Sequence, residues 1–133
     1  MGKITVPANT DYFEEVLNFA ENAMRDAGLD KKTQNNINTA IEEIFVNISS
    51  YAYPSNEGKV TVFIYADQDM VIAEFHDEGT PYDPLAKADP DTTLSADERE
   101  IGGLGIFMVK KLMDEVRYEH RDGCNILTIS KNV

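Results

Sequence analysis

The chain has 133 residues, 42% of them hydrophobic, a single cysteine and a formal net charge of -12. That is the size of one domain with one core. It excludes an intrachain disulfide or a cysteine-rich metal site, and the acidic balance argues against nucleic acid or an anionic membrane surface as a partner. No apolar run approaches the roughly 20 residues that a bilayer crossing needs. The N-terminal stretch is too short and mixed for a signal peptide, and a lone Cys124 fits a strand residue in a reducing cytoplasm.

In chain order, Ile4-Thr5-Val6 reads as a first strand ending at Pro7. Asn9, Thr10 and Asp11 offer helix caps, with Asp11 and Glu14 spaced as a capping box. Phe13, Val16, Leu17, Phe19, Ala20, Ala23 and Met24 follow helical spacing until Gly28 stops them. Asp30 can cap a second helix running to about Tyr51, before Pro54. Val60, Val62 and Ile64 alternate as a strand, residues 66–69 turn it, and Val71 to His76 returns antiparallel. From Asp77 to Ile101 periodicity disappears, as expected of a functional loop. A third helix is expected from about Leu104 to Met113. Val116 to His120, an Asp122-Gly123 turn and Cys124 to Ser130 make a closing hairpin. The order predicts one α/β (α+β) domain over 1–133: a two-layer sandwich, its mostly antiparallel, mixed sheet of about five strands carrying three helices on one face.

Three places could carry chemistry. On the second helix, Ile37, Ile41, Ile44 and Ile48 form a core stripe. Asn36, Glu43 and Asn47 lie together on its flank, and Glu42 points away to solvent. By itself such a flank is an ordinary solvated helix edge. His76-Asp77-Glu78-Gly79-Thr80-Pro81 ends a strand with a carboxylate able to accept from an exocyclic amine and a glycine that lets a flat ring approach; by itself it is an ordinary turn. Ile101-Gly102-Gly103-Leu104-Gly105-Ile106 leads a glycine-rich run into a helix N-terminus, a natural phosphate cradle for an acidic chain, or simply a hinge.

In order and spacing, these three segments resemble the boxes of the GHKL or Bergerat ATPase superfamily: Glu43 to Asn47, Asp77 to Pro81, and Gly102 to Gly105. The resemblance spans most of the chain and implies a Bergerat fold with a mobile lid at about 80–102. Within the superfamily, Asp77 to Pro84 and Gly103 to Val116 look closest to stand-alone anti-sigma-factor serine/threonine kinases. The resemblance implies ATP and Mg²⁺ as cofactors. Asn47 would hold the metal, Asp77 would bind the adenine amine, and Gly79 would admit the ring. Gly102, Gly103, Leu104 and Gly105 would cradle phosphates by backbone N–H groups, and Thr128 would support the adenine pocket. Glu43 would be the general base. The implied partners are a sigma factor, an anti-anti-sigma-like protein and a second copy of the chain. Two positions depart from the pattern. Pro81 stands where relatives end the first glycine box with Gly, and Ile101 stands where they often carry Arg, the nearest being Arg99. The departures keep a second reading in view, an ATP-gated binding module without turnover.

Overall fold

The computed structural model describes residues 2–51, 58–67, 69–81, 83–85 and 103–132. The elements are β1 (Gly2–Pro7), α1 (Phe13–Asp26), α2 (Lys31–Tyr51), β2 (Lys59–Asp67), β3 (Met70–Asp77), α3 (Gly103–Leu112), β4 (Glu115–Arg121) and β5 (Cys124–Asn132). Their order and type are those expected. Gly102, Ile101, Arg99, Gln68, Pro54 and most of the expected lid lie outside the described residues.

The helix ends follow local chemistry. The start of α1 corrects the expected Asp11–Glu14 box. Asn9, in extended backbone, accepts the Asp11 N–H at 2.8 Å and opens a 3₁₀ turn over Thr10–Tyr12, so α1 begins at Phe13 with no side-chain cap. Asn caps at least as well as Asp and stands two residues earlier. Gly28, at φ 77°, ends α1, and the Leu29 N–H returns to the Met24 carbonyl at 3.2 Å. Asp30 caps α2 as expected, accepting the Thr33 N–H at 2.8 Å. Hydrogen bonding from Thr33 holds its carboxyl below the usual aspartate value.

The five strands run β1-β2-β3-β5-β4, and all four pairings are antiparallel. Asp122 (φ 54°) and Gly123 (φ 80°) make the two-residue turn between β4 and β5, where two positive φ values match strand twist. Because β5 slots between β3 and β4, one row crosses the sheet as Val60, Asp77, Asn125 and His120.

Period-two alternation divides the sheet into two faces. Val60, Val62, Ile64, Val71, Ala73, Phe75, Leu127 and Ile129 are buried on one face under the three helices. Val16, Ala20 and Met24 of α1 and Ile37, Ile41, Ile44 and Phe45 of α2 pack onto them, joined by Val109 of α3. Each large apolar side chain there contributes about 1.5–3 kcal/mol. The other face carries a polar ribbon. The Tyr65 hydroxyl donates to Glu74 Oε2 at 2.5 Å, and His76 Nε2 lies 2.9 Å from Glu74 Oε1. Holding that proton for Glu74 pushes the Tyr65 hydroxyl up to about 12. The His76 ring packs against Phe63 on the same face.

Candidate functional site

The site begins with the wheel of α2. Ile37, Ile41, Ile44 and Ile48 are buried, Glu42 is exposed, and Glu43 and Asn47 are half-buried on the flank. The separation of the two adjacent carboxylates follows from the 100° step between them.

Asn47 faces a narrow cavity between α2 and the sheet. Its walls are Ile44 and Ile48 of α2, Leu127 and Tyr118, and Pro84 from the root of the expected lid; Asp77 and Asn125 supply its polar groups. Asp77 is only 5% exposed, and burial pushes its carboxyl above the usual aspartate value. Hydrogen bonds from Asn125 and Gly79, and the nearby His120 and His76, oppose that rise without cancelling it. Both hydrogen bonds fall on one oxygen. Oδ1 accepts the Gly79 N–H at 2.9 Å and Asn125 Nδ2 at 2.9 Å, and Oδ2 accepts nothing among the described residues. The slot is closed down to about 20 Å³, so a ring enters only with its walls parted; its apolar lining and one open carboxylate oxygen are the chemistry that a flat heteroaromatic ring bearing an amine requires.

One turn along α2, Glu43 lies against the first turn of α3. A Cβ built on Gly105 would stand 2.4 Å from Glu43 Oε2, so the glycine is what lets the helix N-terminus and the carboxylate meet. The first N–H groups of a helix have no intrahelical acceptor and favour anions. Asn47 therefore stands on α2 between the cavity at Asp77 and the N-terminal end of α3.

Of the residues expected at the site, Asn47, Asp77 and Gly79 come together around the cavity, and Glu43 with Gly105 forms the neighbouring junction. Gly79 acts by donating to Asp77. Gly103 opens α3, and Leu104 follows within it. Gly102 lies outside the described residues. Thr128 is not brought to the site. It pairs with Glu74 and Arg117 and shares their face of the sheet, turned away from Asp77. Its expected place is taken by Asn125, which pairs directly with Asp77. Thr128 and Asn125 are three residues apart on β5, an odd offset, which puts them on opposite faces. The composition of β5 hides which is which, because Ile126 and Ile129 are both buried yet lie on opposite faces. Tyr118, whose hydroxyl donates to Asn125 Oδ1, was also missed. A signal for both existed in the Asp122-Gly123 turn, which fixes the β4–β5 register.

Among the described residues no group of three or more His, Cys, Asp or Glu could hold a metal ion unaided, and no helix is long and apolar enough to cross a membrane. A hard cation here would draw on the Asn47 amide oxygen and on oxygens of the ligand itself, the donor type such a cation takes.

Residues 6–131 match the histidine kinase-like ATPase domain. The chain is 28% identical over 92 residues to the serine/threonine-protein kinase BtrW of Bordetella bronchiseptica, covering 68% of this chain and 65% of that protein. It is 26% identical over 130 residues to the serine-protein kinase RsbW of Staphylococcus aureus, covering 93% and 82%. The fold superimposes on the RsbU and RsbW domains of a Mycobacterium tuberculosis protein with a TM-score of 0.65 at 18% identity, over 99% of this chain and 32% of that one. With the family match running almost end to end, over residues 6–131, and the sheet and helices in the expected order, the chain belongs to the histidine kinase-like ATPase domain family.

Proposed function

We propose that this chain is an anti-sigma-type serine/threonine protein kinase that uses ATP with Mg²⁺. The observation that carries this reading is the position of Asn47, which shares the ring slot with Asp77 and lies one helical turn from Glu43 at the α3 N-terminus. Adenine enters the slot with its amine toward Asp77 Oδ2. The phosphates run past Asn47 to the first turn of α3. Magnesium, when bound, neutralises charge on the phosphate oxygens. Glu43 accepts the proton of a Ser or Thr hydroxyl as its oxygen bonds to the γ-phosphorus. The bond to the β–γ bridging oxygen breaks, and ADP leaves with that electron pair. The BtrW and RsbW relatives, named as serine or serine/threonine kinases, support this assignment.

The acceptor would be an anti-anti-sigma-type protein. A sigma factor and a second copy of the chain complete the proposed partners, with the cytoplasm as the compartment. The test is direct: the purified chain, γ-labelled Mg-ATP and an anti-anti-sigma-type domain from the same organism should give label on Ser or Thr of that domain. ATP binding with no label transferred would leave the gated-module reading in its place.

The Gly105 contact gives a sharper expectation. In Gly105→Ala the new methyl meets the end of a flexible side chain, so the fold survives and the melting temperature moves by no more than ~2 °C. The Glu43 carboxylate is displaced, and phosphotransfer should fall roughly tenfold or more while ATP affinity stays close to wild type. Single-turnover transfer beside a binding titration separates the two.

A further inference from the structure

We propose that Tyr118 and Asn125 form a positioning relay that leaves Asp77 one open acceptor and so selects a purine with a 6-amine over one with a 6-carbonyl. The inference rests on the nucleotide reading of the cavity and assigns the residues that set its selectivity.

The hydrogen-bond inventory fixes the orientation of the relay. The Asn125 Nδ2 group lies 2.9 Å from Asp77 Oδ1, 3.0 Å from the Thr80 carbonyl and 3.4 Å from the Gly79 carbonyl. All three are acceptors, so the amide must present its two N–H groups there and its oxygen to the other side. That oxygen accepts the Tyr118 hydroxyl, which must therefore donate. Each partner is carried by rigid structure. Asp77, Asn125 and Tyr118 come from β3, β5 and β4, and the strand register sets Asn125 directly opposite Asp77.

The effect falls on Asp77. A free carboxylate offers about four acceptor sites on two oxygens and turns easily. Here the Gly79 N–H and Asn125 both engage Oδ1, which hinders rotation about the carboxyl and leaves Oδ2 as the acceptor open to a ligand. A fixed acceptor takes an amine donor well and meets a carbonyl with lone pair against lone pair. Without the relay the carboxylate can swing, and water can mediate between it and either ring substituent. The same amide grips the Gly79 and Thr80 carbonyls, so the turn that carries the ring's entrance is held by the group that aims the acceptor. Tyr118 and Asn125 also line the slot, but their effect on selectivity passes through Asp77, and in that they are positioning residues.

The probes are ATP and inosine triphosphate, which carries a carbonyl in place of the 6-amine. Wild type should prefer ATP by at least roughly tenfold. Tyr118→Phe removes one oxygen from an edge strand and should fold; it is expected to cut that preference about fivefold, chiefly by weakening ATP. Asn125→Ala should bring the two affinities to within about threefold of each other. The relay is overturned if either variant, folded by its melting curve, weakens both nucleotides by the same factor, or if wild type binds both alike. Wild type that binds neither nucleotide overturns the nucleotide reading as well, which separates that failure from failure of the relay alone.

Discussion

Asp77→Asn should lose roughly a hundredfold in ATP affinity and yet melt about 2–5 °C higher than wild type at neutral pH. The two effects have one cause. Burial has pushed the Asp77 carboxyl above its ordinary value, so the fold favours its neutral form. Below the ordinary aspartate value the group is protonated in both folded and unfolded chains and costs nothing. As pH rises from there through the raised folded value, ionising the buried carboxyl progressively lowers stability, and above the folded value the loss is complete. An amide of the same shape escapes that cost. It still accepts the Gly79 and Asn125 donors, but it turns an N–H group toward the ligand amine, where an acceptor is needed. Melting curves should therefore diverge at pH 7 and converge below the ordinary aspartate value. Wild-type ATP binding should weaken with acidification before an ordinary aspartate would protonate, and the variant should lose that dependence.

Glu43→Ala should lower phosphotransfer by about 10²–10⁴ while leaving ATP affinity within about threefold. The carboxylate lies at the α2–α3 junction, away from the ring slot, so its removal spares the base and its methylene stem is easily replaced by solvent. Glu42→Ala is the internal control. That side chain is exposed on the opposite flank of the same turn and should transfer phosphate at the wild-type rate. Rapid-quench measurement of labelled partner distinguishes the three proteins. Equal rates for Glu43→Ala and wild type would remove Glu43 from the chemistry.

Most of the architecture could be read from residue periodicity, because the physics is local. A core stripe at 100° steps, alternation at 180°, a glycine after α1 and an Asp-Gly turn each act within a few residues. The site was legible on helices and turns for the same reason, and Glu43 separated from Glu42 on the wheel alone. It was not legible on β5. Which face a strand residue takes depends on pairing with β3, a partner about 50 residues earlier, and β5 carries buried apolar side chains on both faces. Thr128 was the more familiar side chain, and Asn125 had the right parity. The start of α1 failed more mildly, since two good caps stood within three residues and the upstream one won.

The insertion of β5 between β3 and β4 also bears on synthesis. Asp77 meets Asn125 only after 48 further residues have been made, and β5 is the last described strand. A ribosome-bound chain that already carries α2, β2 and β3 thus holds Glu43, Asn47 and Asp77 without the clamp that aims them. Non-local closure of this kind is a slow step in folding. A nascent or C-terminally clipped chain should consequently be blind to adenine, and nucleotide should accumulate only on molecules whose last hairpin has docked.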